Sequence, residues 1–208
     1  MFGFSKSELA VLKKLNTPIK IQNYLDKIPM NWEKRGETYF SPRRALKEKK
    51  MHCLEGALVA AAALWLKGEK PFLLDLKTKG DVDHVVALYR RNGYWGAISK
   101  TNHAALRFRD PVYKTLRELA LSYFHEYFRD KDGKKTLVSY SSKPFDLRTH
   151  GIEWVTTEED LQHIVDAIDI APHKQIYPKK NRSLIRPADV MERRAGKIIE
   201  WKKSNPRT

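Results

Sequence analysis

The stretch Ala57 to Leu66 is the most apolar run of the chain, and it limits the possible folds more than any other segment. It lies in MHCLEGALVAAAALWLKG, residues 51 to 68, where small apolar residues follow one another without a polar face. A helix that is apolar all round has to be buried. The run is shorter than the ~20 apolar residues that a membrane span needs. The sequence therefore predicts a buried helix whose small residues allow a sheet to pack closely against it.

A predicted hairpin follows this helix. Pro71 to Lys77 is short and apolar, which indicates a strand, and His84 to Tyr89 indicates a second one. Asn92-Gly93 is a strong signal for a two-residue turn, and Tyr94 to Ser99 forms the return strand. The segment from residue 71 to residue 99 therefore predicts three consecutive strands.

Caps and helix breakers predict the remaining elements. Helices on both sides of a run of strands indicate an α+β fold, with a small antiparallel sheet packed on a central cysteine-bearing helix and with helical N- and C-terminal extensions. We expect an α+β domain over residues 1–170 and a basic arm and helix over 171–208. The further elements are a helix from Ser5 to Leu15, a helix after Pro18, a short basic turn after Ser41-Pro42, a helix from Asp110-Pro111 to about Phe128, a strand from Thr136 to Tyr140, a helix from Thr157, an extended arm over 171–187 and a helix from Pro187 to about Lys203.

The net charge of +15 is confined to the two ends of the chain. Residues 1–52 hold 12 basic and 5 acidic residues, residues 171–208 hold 11 and 3, and the middle holds 17 of each. Such flanks are typical of proteins that bind nucleic acid or an acidic protein. A solvated basic surface is the alternative, and the C-terminal arm could also form an oligomer contact.

The only cysteine of the chain, Cys53, excludes an intrachain disulfide framework. The N-terminal residues show no long apolar region behind basic residues, so they do not resemble a signal peptide. We therefore expect a cytoplasmic protein with no membrane association.

Cys53 lies in the first turn of the predicted helix. The free N–H groups of a helix N-terminus, together with the basic segment before it, favour a thiolate. His84 begins the second strand, and Ser99 is its diagonal neighbour on the same face of the hairpin. A cysteine and a histidine are the smallest activated-nucleophile unit. The alternatives are an inert core cysteine and a half-buried strand histidine with a backbone partner.

The order of HCLEGALVAAAAL, DVDHVVALY and GYWGAIS resembles the transglutaminase-like, papain-like superfamily of cysteine hydrolases. The resemblance covers about residues 40 to 102, under a third of the chain. It implies that Cys53 is the nucleophile and His84 the general base. The aspartate of the family lies four residues after the tryptophan of the return strand, and here that position is Ser99. Serine can hold a histidine tautomer but brings no negative charge.

Asn102 is the second candidate for the third position, because an amide oxygen can also orient a histidine. It lies on the opposite face of an unbroken strand, so it would need a bulge to reach His84. An oxyanion hole needs a donor besides the Cys53 backbone N–H, and Gln22, Trp32 and Tyr39 are the upstream candidates.

The resemblance implies a cysteine hydrolase or acyltransferase that acts on an amide or peptide bond of a peptide or protein through a thioacyl intermediate, with no cofactor and no metal. The alternative is a catalytically weak domain that serves as a binding module through its basic flanks.

Overall fold

The computed structural model describes residues 2–34 and 36–202, and this part of the chain has the predicted α+β architecture. Its helices are α1 (Lys6–Lys14), α2 (Pro18–Asp26), α3 (Pro42–Glu48), α4 (Cys53–Trp65), α5 (Leu116–Phe124), α6 (Gln162–Ile170) and α7 (Val190–Gly196). Its strands are β1 (Phe72–Thr78), β2 (His84–Arg91), β3 (Tyr94–Ile98), β4 (Arg109–Tyr113), β5 (Leu137–Ser141), β6 (Phe145–Asp146) and β7 (His173–Gln175). Short 3-10 helices lie at Leu147–His150, Glu153–Val155 and Lys179–Leu184.

The seven strands form one antiparallel sheet. Six of them follow the order β4-β3-β2-β1-β5-β7, and β6 pairs with the N-terminal end of β1. The predicted hairpin is confirmed, because Arg91 pairs with Tyr94 and Ala87 pairs with Ile98. Asn92 and Gly93 both have positive φ, at 50° and 86°, as a two-residue turn of this kind requires.

The sheet separates two apolar layers, because successive residues of a strand point to opposite faces. On one face, α4 packs with Val85, Ala87 and Tyr89 of β2. On the other face, α5 packs with Val86 and Leu88. The cysteine-bearing helix is therefore sandwiched between the sheet and the N-terminal helices, as the apolar run predicted.

Glycine is needed in α4 at Gly56. All residues from Leu54 to Leu64 are buried, and a Cβ at Gly56 would lie 2.3 Å from the Cβ of Lys100. Lys100 is itself fully buried, and its ammonium donates to the backbone carbonyls of Leu25 and Ile28 at the end of α2. The close packing expected from the small residues of α4 is thus confirmed.

The caps of the N-terminal helices were predicted correctly. Ser5 and Glu8 form a reciprocal capping box at the start of α1. Ser41 caps α3, whose first residue is Pro42. These signals are local, so they do not depend on tertiary structure.

The helix predicted from Asp110-Pro111 is wrong in its first part. Those residues lie in β4, an edge strand, where a proline costs no ladder hydrogen bond if its nitrogen faces outward. The helix α5 begins only at Leu116, and the Thr115 side chain caps it by accepting a hydrogen bond from Glu118 N at 3.1 Å. Thr115 and Glu118 are a later capping pair in the same sequence, and they set the start of the helix.

The predicted helix start at Thr157 is also wrong, since α6 begins at Gln162. The intervening residues bind the N-terminal region instead: Asp160 accepts from Tyr39 N at 2.9 Å, and Leu161 N donates to Tyr39 O at 2.9 Å. These tertiary hydrogen bonds replace the first turn of the expected helix.

The C-terminal region differs from the predicted arm and long helix. Residues His173–Gln175 form β7 on the edge of the sheet, and a 3-10 helix follows at Lys179–Leu184. The final helix, α7, begins after Asp189 and ends at Gly196. Lys203, where that helix was expected to end, lies outside the described residues.

No helix in residues 2–34 and 36–202 is long and apolar enough to cross a membrane.

Candidate active site

Cys53 is the first residue of α4 and lies where two cavities meet. The larger cavity has a volume of about 660 Å³ and the smaller one about 390 Å³. The thiol is only partly exposed. A group that enters either cavity can therefore reach the sulfur, while most of the bulk solvent is kept away from it. The residues that line both cavities are Met30, Trp32, Cys53, Val82 and Asp83.

The surroundings of Cys53 favour its ionised form. Burial raises the pKa of the thiol, but hydrogen bonds and positive charge from His52 and His84 outweigh it and hold the pKa well below its ordinary value. The thiolate, not the thiol, is the nucleophilic form of cysteine. Two histidines thus act on one sulfur, where the sequence indicated one.

His84 is buried, and its hydrogen bonds define its tautomer. Its Nε2 lies 2.8 Å from Ser99 Oγ, and Ser99 Oγ donates to Leu106 O at 2.6 Å. The serine hydroxyl has a single hydrogen, which the Leu106 carbonyl takes, so Ser99 can only accept from Nε2–H. Neutral His84 therefore keeps the lone pair on Nδ1, which is the ring nitrogen left to exchange a proton with Cys53, whose pKa His84 lowers.

Cys53 and His84 meet at the end of the sheet and not across its face. The His84 side chain is on the same face of β2 as Val86, which packs toward α5. Helix α4 packs against the opposite face of β2. His84 is the first residue of β2, and the residues just before it, Val82 and Asp83, line both cavities. The structure places both residues at one cavity, at the end of the sheet, whereas the sequence analysis expected the helix to pack across the sheet at this point.

Gln22 positions Ser99. Its amide donates to Ser99 O at 2.8 Å and accepts from Ser99 N at 2.9 Å, while its second amide hydrogen goes to Asp26 at 2.7 Å. Both N–H groups of the Gln22 amide are therefore occupied, and the side chain is not available as an oxyanion donor. Its contacts instead fix the end of β3 against α2.

Asn102 is placed away from His84. Its side chain donates to Trp201 O at 2.9 Å and accepts from Trp201 N at 2.7 Å. Asn102 lines the larger cavity together with Cys53, so it can contact a bound molecule, but its amide holds the C-terminal segment. Of the two candidates for the third position, Ser99 is the one that contacts His84.

Trp32 and Tyr39 are the other two candidates for an oxyanion donor. The Tyr39 hydroxyl donates to Glu37 at 2.9 Å. Burial, followed by the bond and charge of Glu37, raises the Tyr39 pKa to about 12. The Trp32 Nε1 is buried and has no hydrogen-bond partner among the described residues, and Trp32 lines both cavities. Neither donor is open to the cavities, because the Tyr39 hydroxyl is engaged and the Trp32 Nε1 is buried.

A buried carboxylate, Glu55, lies next to the site. The sequence places it at the helix start, two residues after Cys53, but does not reveal its burial. Glu55 has no exposed surface and forms a capping box with His52 at the start of α4. Capping boxes begin with serine or threonine in the usual pattern, so this pairing with histidine was not predicted.

The basic flanks show two kinds of side chain. Arg43 and Arg44 of the N-terminal flank bind Glu8 and Asp160 within the domain. The cations at the exposed 3-10 helix form no ion pair within the described part of the chain; they are Lys179, Lys180 and Arg182. Unpaired positive charge is therefore present in both flanks, since Lys13, Lys14 and Lys49 of the N-terminal flank are exposed and form no ion pair among the described residues either.

The sequence matches no model of a known protein family, and it matches no curated protein. The described residues contain no group of three or more His, Cys, Asp or Glu side chains that could hold a metal ion. The function is therefore inferred from the geometry around Cys53.

Proposed function

We propose that this protein is a cysteine hydrolase or acyltransferase of the transglutaminase-like kind, which acts on an amide or peptide bond through a Cys53 thioester. The observation that carries the proposal is the hydrogen-bond chain from His84 Nε2 through Ser99 Oγ to Leu106 O. This chain leaves His84 Nδ1 as the group that exchanges a proton with the thiol. A nucleophile, a base and a group that orients the base are the recurring parts of such sites.

In the proposed acylation step, the Cys53 thiolate attacks the carbonyl carbon of the substrate and forms a C–S bond. The C–N bond then breaks, and the His84 imidazolium gives its Nδ1 proton to the leaving amine. In the second step, water or another amine attacks the thioester carbon and His84 takes its proton. The C–S bond breaks, which releases the product acid or amide and regenerates the thiolate–imidazolium pair.

The backbone N–H of Cys53, at the first position of α4, has no helical acceptor and is the proposed donor to the oxyanion. Trp32 lines both cavities, but its Nε1–H is buried, so the indole ring would have to turn toward the sulfur to act as a second donor. Donors of this type contribute ~2.7–4 kcal/mol to transition-state stabilisation.

We also propose that the protein acts in the cytoplasm, where reducing conditions keep a cysteine thiol free.

The test uses two probes on the purified full chain. The ester p-nitrophenyl acetate reports acylation and turnover of Cys53, and a pool of synthetic peptides containing glutamine and lysine reports the reaction on amides. Mass spectrometry then separates hydrolysis, which adds water, from amine incorporation, which releases ammonia. We expect repeated turnover in wild type and none in Cys53→Ala.

The matched control is Cys53→Ser, which keeps the shape of the side chain and replaces the thiolate by a poor nucleophile. If Cys53→Ala processed both probes at the wild-type rate, the proposed mechanism would be wrong. A single acylation without turnover on either probe would also contradict an enzyme of this class.

A further inference from the structure

His52 is a second histidine at the thiol, and the mechanism above does not use it. It directly precedes Cys53 and lines the smaller cavity with it. Its ring Nε2 lies 2.8 Å from Thr38 O, 3.5 Å from Glu55 Oε1 and 3.8 Å from Glu33 Oε1. Its side chain is only 12% exposed, so these contacts are poorly screened by solvent.

Glu55 is surrounded by donors. Its carboxylate accepts from His52 N at 2.8 Å, from Asn31 Nδ2 at 3.1 Å, and from Thr38 Oγ1 and Phe40 N at 3.2 Å each. Burial raises the pKa of Glu55, and the charge of His52 together with these hydrogen bonds lowers it only in part. The ionised carboxylate therefore depends on its donors and on a nearby positive charge. A buried ion also favours a counter-ion, and the only cation-forming side chain in contact with Glu55 among the described residues is His52.

We propose that His52 carries a positive charge held by Glu55, and that this pair is a positioning unit that keeps Cys53 ionised. The inference rests on the proposed function. Ser99 is neutral and gives His84 no charge stabilisation. The His52–Glu55 pair is the assigned source of charge stabilisation at this site. In this arrangement His84 moves the proton, while His52 and Glu55 set the charge of the resting site.

The protonation of His52 supports this assignment. Burial lowers the pKa of His52, but the hydrogen bond to Cys53, the charge of Glu55 and the bond to Thr38 O raise it to about 9. The ring is then protonated at neutral pH and loses its charge only as the pH rises through about 9. Its stabilisation of the thiolate is thus present throughout the neutral range.

Most of the charged groups around His52 are carboxylates or the thiolate itself. Lys77 pairs with Asp75, Asp83 and Asp169, and His173 also pairs with Asp75, so these three carboxylates are partly neutralised. Glu33 and Glu55 are the carboxylates within ion-pair distance of the His52 ring. The titratable side chains that face His52 or line the same cavity are Glu33, Glu37, Tyr39, Cys53, Glu55, Asp75, Asp83 and Asp169.

The Nδ1 atom of His52 has two uses that depend on protonation. In the neutral ring it accepts a long hydrogen bond of 3.3 Å from Leu54 N and caps α4. In the protonated ring it carries a hydrogen, which the adjacent thiolate can accept, while Nε2–H stays on Thr38 O in both states. The protonated ring cannot accept from Leu54 N, so a change of His52 that tests the charge alone must leave the start of α4 no less stable than the protonated ring does.

His52→Asn is such a change, because asparagine is a good N-cap but has no positive charge. The readout is the rate of Cys53 alkylation by iodoacetamide across pH. We expect the midpoint of the profile to rise by roughly 1–3 pH units, as for the loss of an adjacent opposite charge. Glu33→Gln is the matched control: its carboxylate is more exposed and farther from His52, so its midpoint should move much less. An unchanged midpoint in His52→Asn would overturn the proposal.

A second measurement does not depend on the folding of a variant. The ring nitrogen shifts of His52, followed by NMR in the wild-type protein, should titrate with a midpoint near 9, and a midpoint below neutral pH would overturn the proposal. The outcomes separate the two ideas. If His52→Asn shifts the alkylation profile but the protein shows no turnover, the His52–Glu55 unit is retained and the proposed enzyme is rejected. If turnover requires Cys53 but His52→Asn leaves the alkylation profile unchanged, the enzyme is retained and the His52–Glu55 unit is rejected.

Discussion

The two regions that flank Cys53 solve the same problem in different ways. On the His84 side, the histidine is oriented by neutral hydrogen bonds through Ser99 to the Leu106 carbonyl. On the His52 side, a fully buried carboxylate, Glu55, provides a negative charge. A site of this chemistry needs a correctly oriented base and a charge that balances an imidazolium. The comparison indicates that the two requirements need not be met by one residue.

The regions also differ in how they are assembled. The residues around His84 come from α2, β2 and the segment after β3, so they depend on the packing of the sheet against the helices. The residues that donate to Glu55 on the His52 side come from one stretch of the chain, from Asn31 to His52, although Asn31, Thr38 and Phe40 lie 24, 17 and 15 residues before Glu55. Damage to the packing should therefore affect the first region before the second.

The largest expected effect follows His84→Ala, which removes the proton carrier. We expect turnover of an acyl substrate to fall by ~10²–10⁴, the usual contribution of general acid–base catalysis. Stability should also fall, because the ring is buried and hydrogen-bonded to Ser99. Thermal unfolding and steady-state kinetics on the same preparation check both parts. Turnover within a few-fold of wild type would transfer the role of base to His52.

Glu55→Ala should cause the largest loss of stability. It leaves the donors of Asn31, Phe40 and His52 buried without an acceptor, and each unsatisfied group costs ~1–3 kcal/mol. We expect the free energy of unfolding, measured by urea denaturation, to fall by about 3 kcal/mol or more. Glu48→Ala, at an exposed position of α3, is the control. Equal stabilities of the two variants would mean that the buried network contributes nothing.

Ser99→Ala tests the neutral side of the comparison. It leaves His84 Nε2 and Leu106 O without their shared partner. The His84 tautomer with its hydrogen on Nε2 is therefore less favoured. We expect about a tenfold loss of turnover, corresponding to ~1.4 kcal/mol. Ser99→Asp should not restore it, because a carboxylate would face the Leu106 carbonyl oxygen. A Ser99→Asp variant faster than wild type would show that the site lacks a charge at this position.

Gly56→Ala should have the smallest effect of the four, and it addresses assembly. The new Cβ would meet the Cβ of Lys100, and overpacking of this kind costs ~1–3 kcal/mol, against ~1 kcal/mol gained in helix propensity. Lys100 adjoins Ser99, so the His84 region should move relative to Cys53. We expect a modest drop in melting temperature. We also expect that adding His84→Ala changes the Cys53 alkylation rate less in the Gly56→Ala background than in wild type. A rise in melting temperature would contradict the close packing.

The parts of the fold that were predicted correctly depend on local signals. The apolar run of α4, the Asn92-Gly93 turn and the cap at Ser5 each occupy a few consecutive residues. The hairpin register then placed Ser99 near His84 without any knowledge of the tertiary structure. The helix starts predicted at Pro111 and Thr157 were wrong. Sheet pairing at Pro111 and hydrogen bonds to Tyr39 after Thr157 override the local preference for a helix.

The candidate site was predicted in part for the same reason. Cys53, His84 and Ser99 follow from a helix start and a hairpin, and the structure brings them together. Gln22 lies 77 residues from Ser99, and no sequence pattern links the two. The His52–Glu55 pair is local, but its role depends on the burial of Glu55 by Thr38 and Phe40, which spacing alone does not reveal.

The most direct test of the account is the ionisation of the thiol itself. Because Cys53 is the only cysteine, the ultraviolet absorbance of wild type minus that of Cys53→Ser reports one thiolate as the pH is changed. The account predicts a midpoint well below the ~8.5 of a free cysteine, with a thiolate already present at neutral pH. A midpoint at or above the free value would mean that Cys53 is an ordinary buried thiol at the end of a core helix, and would contradict the proposed nucleophile.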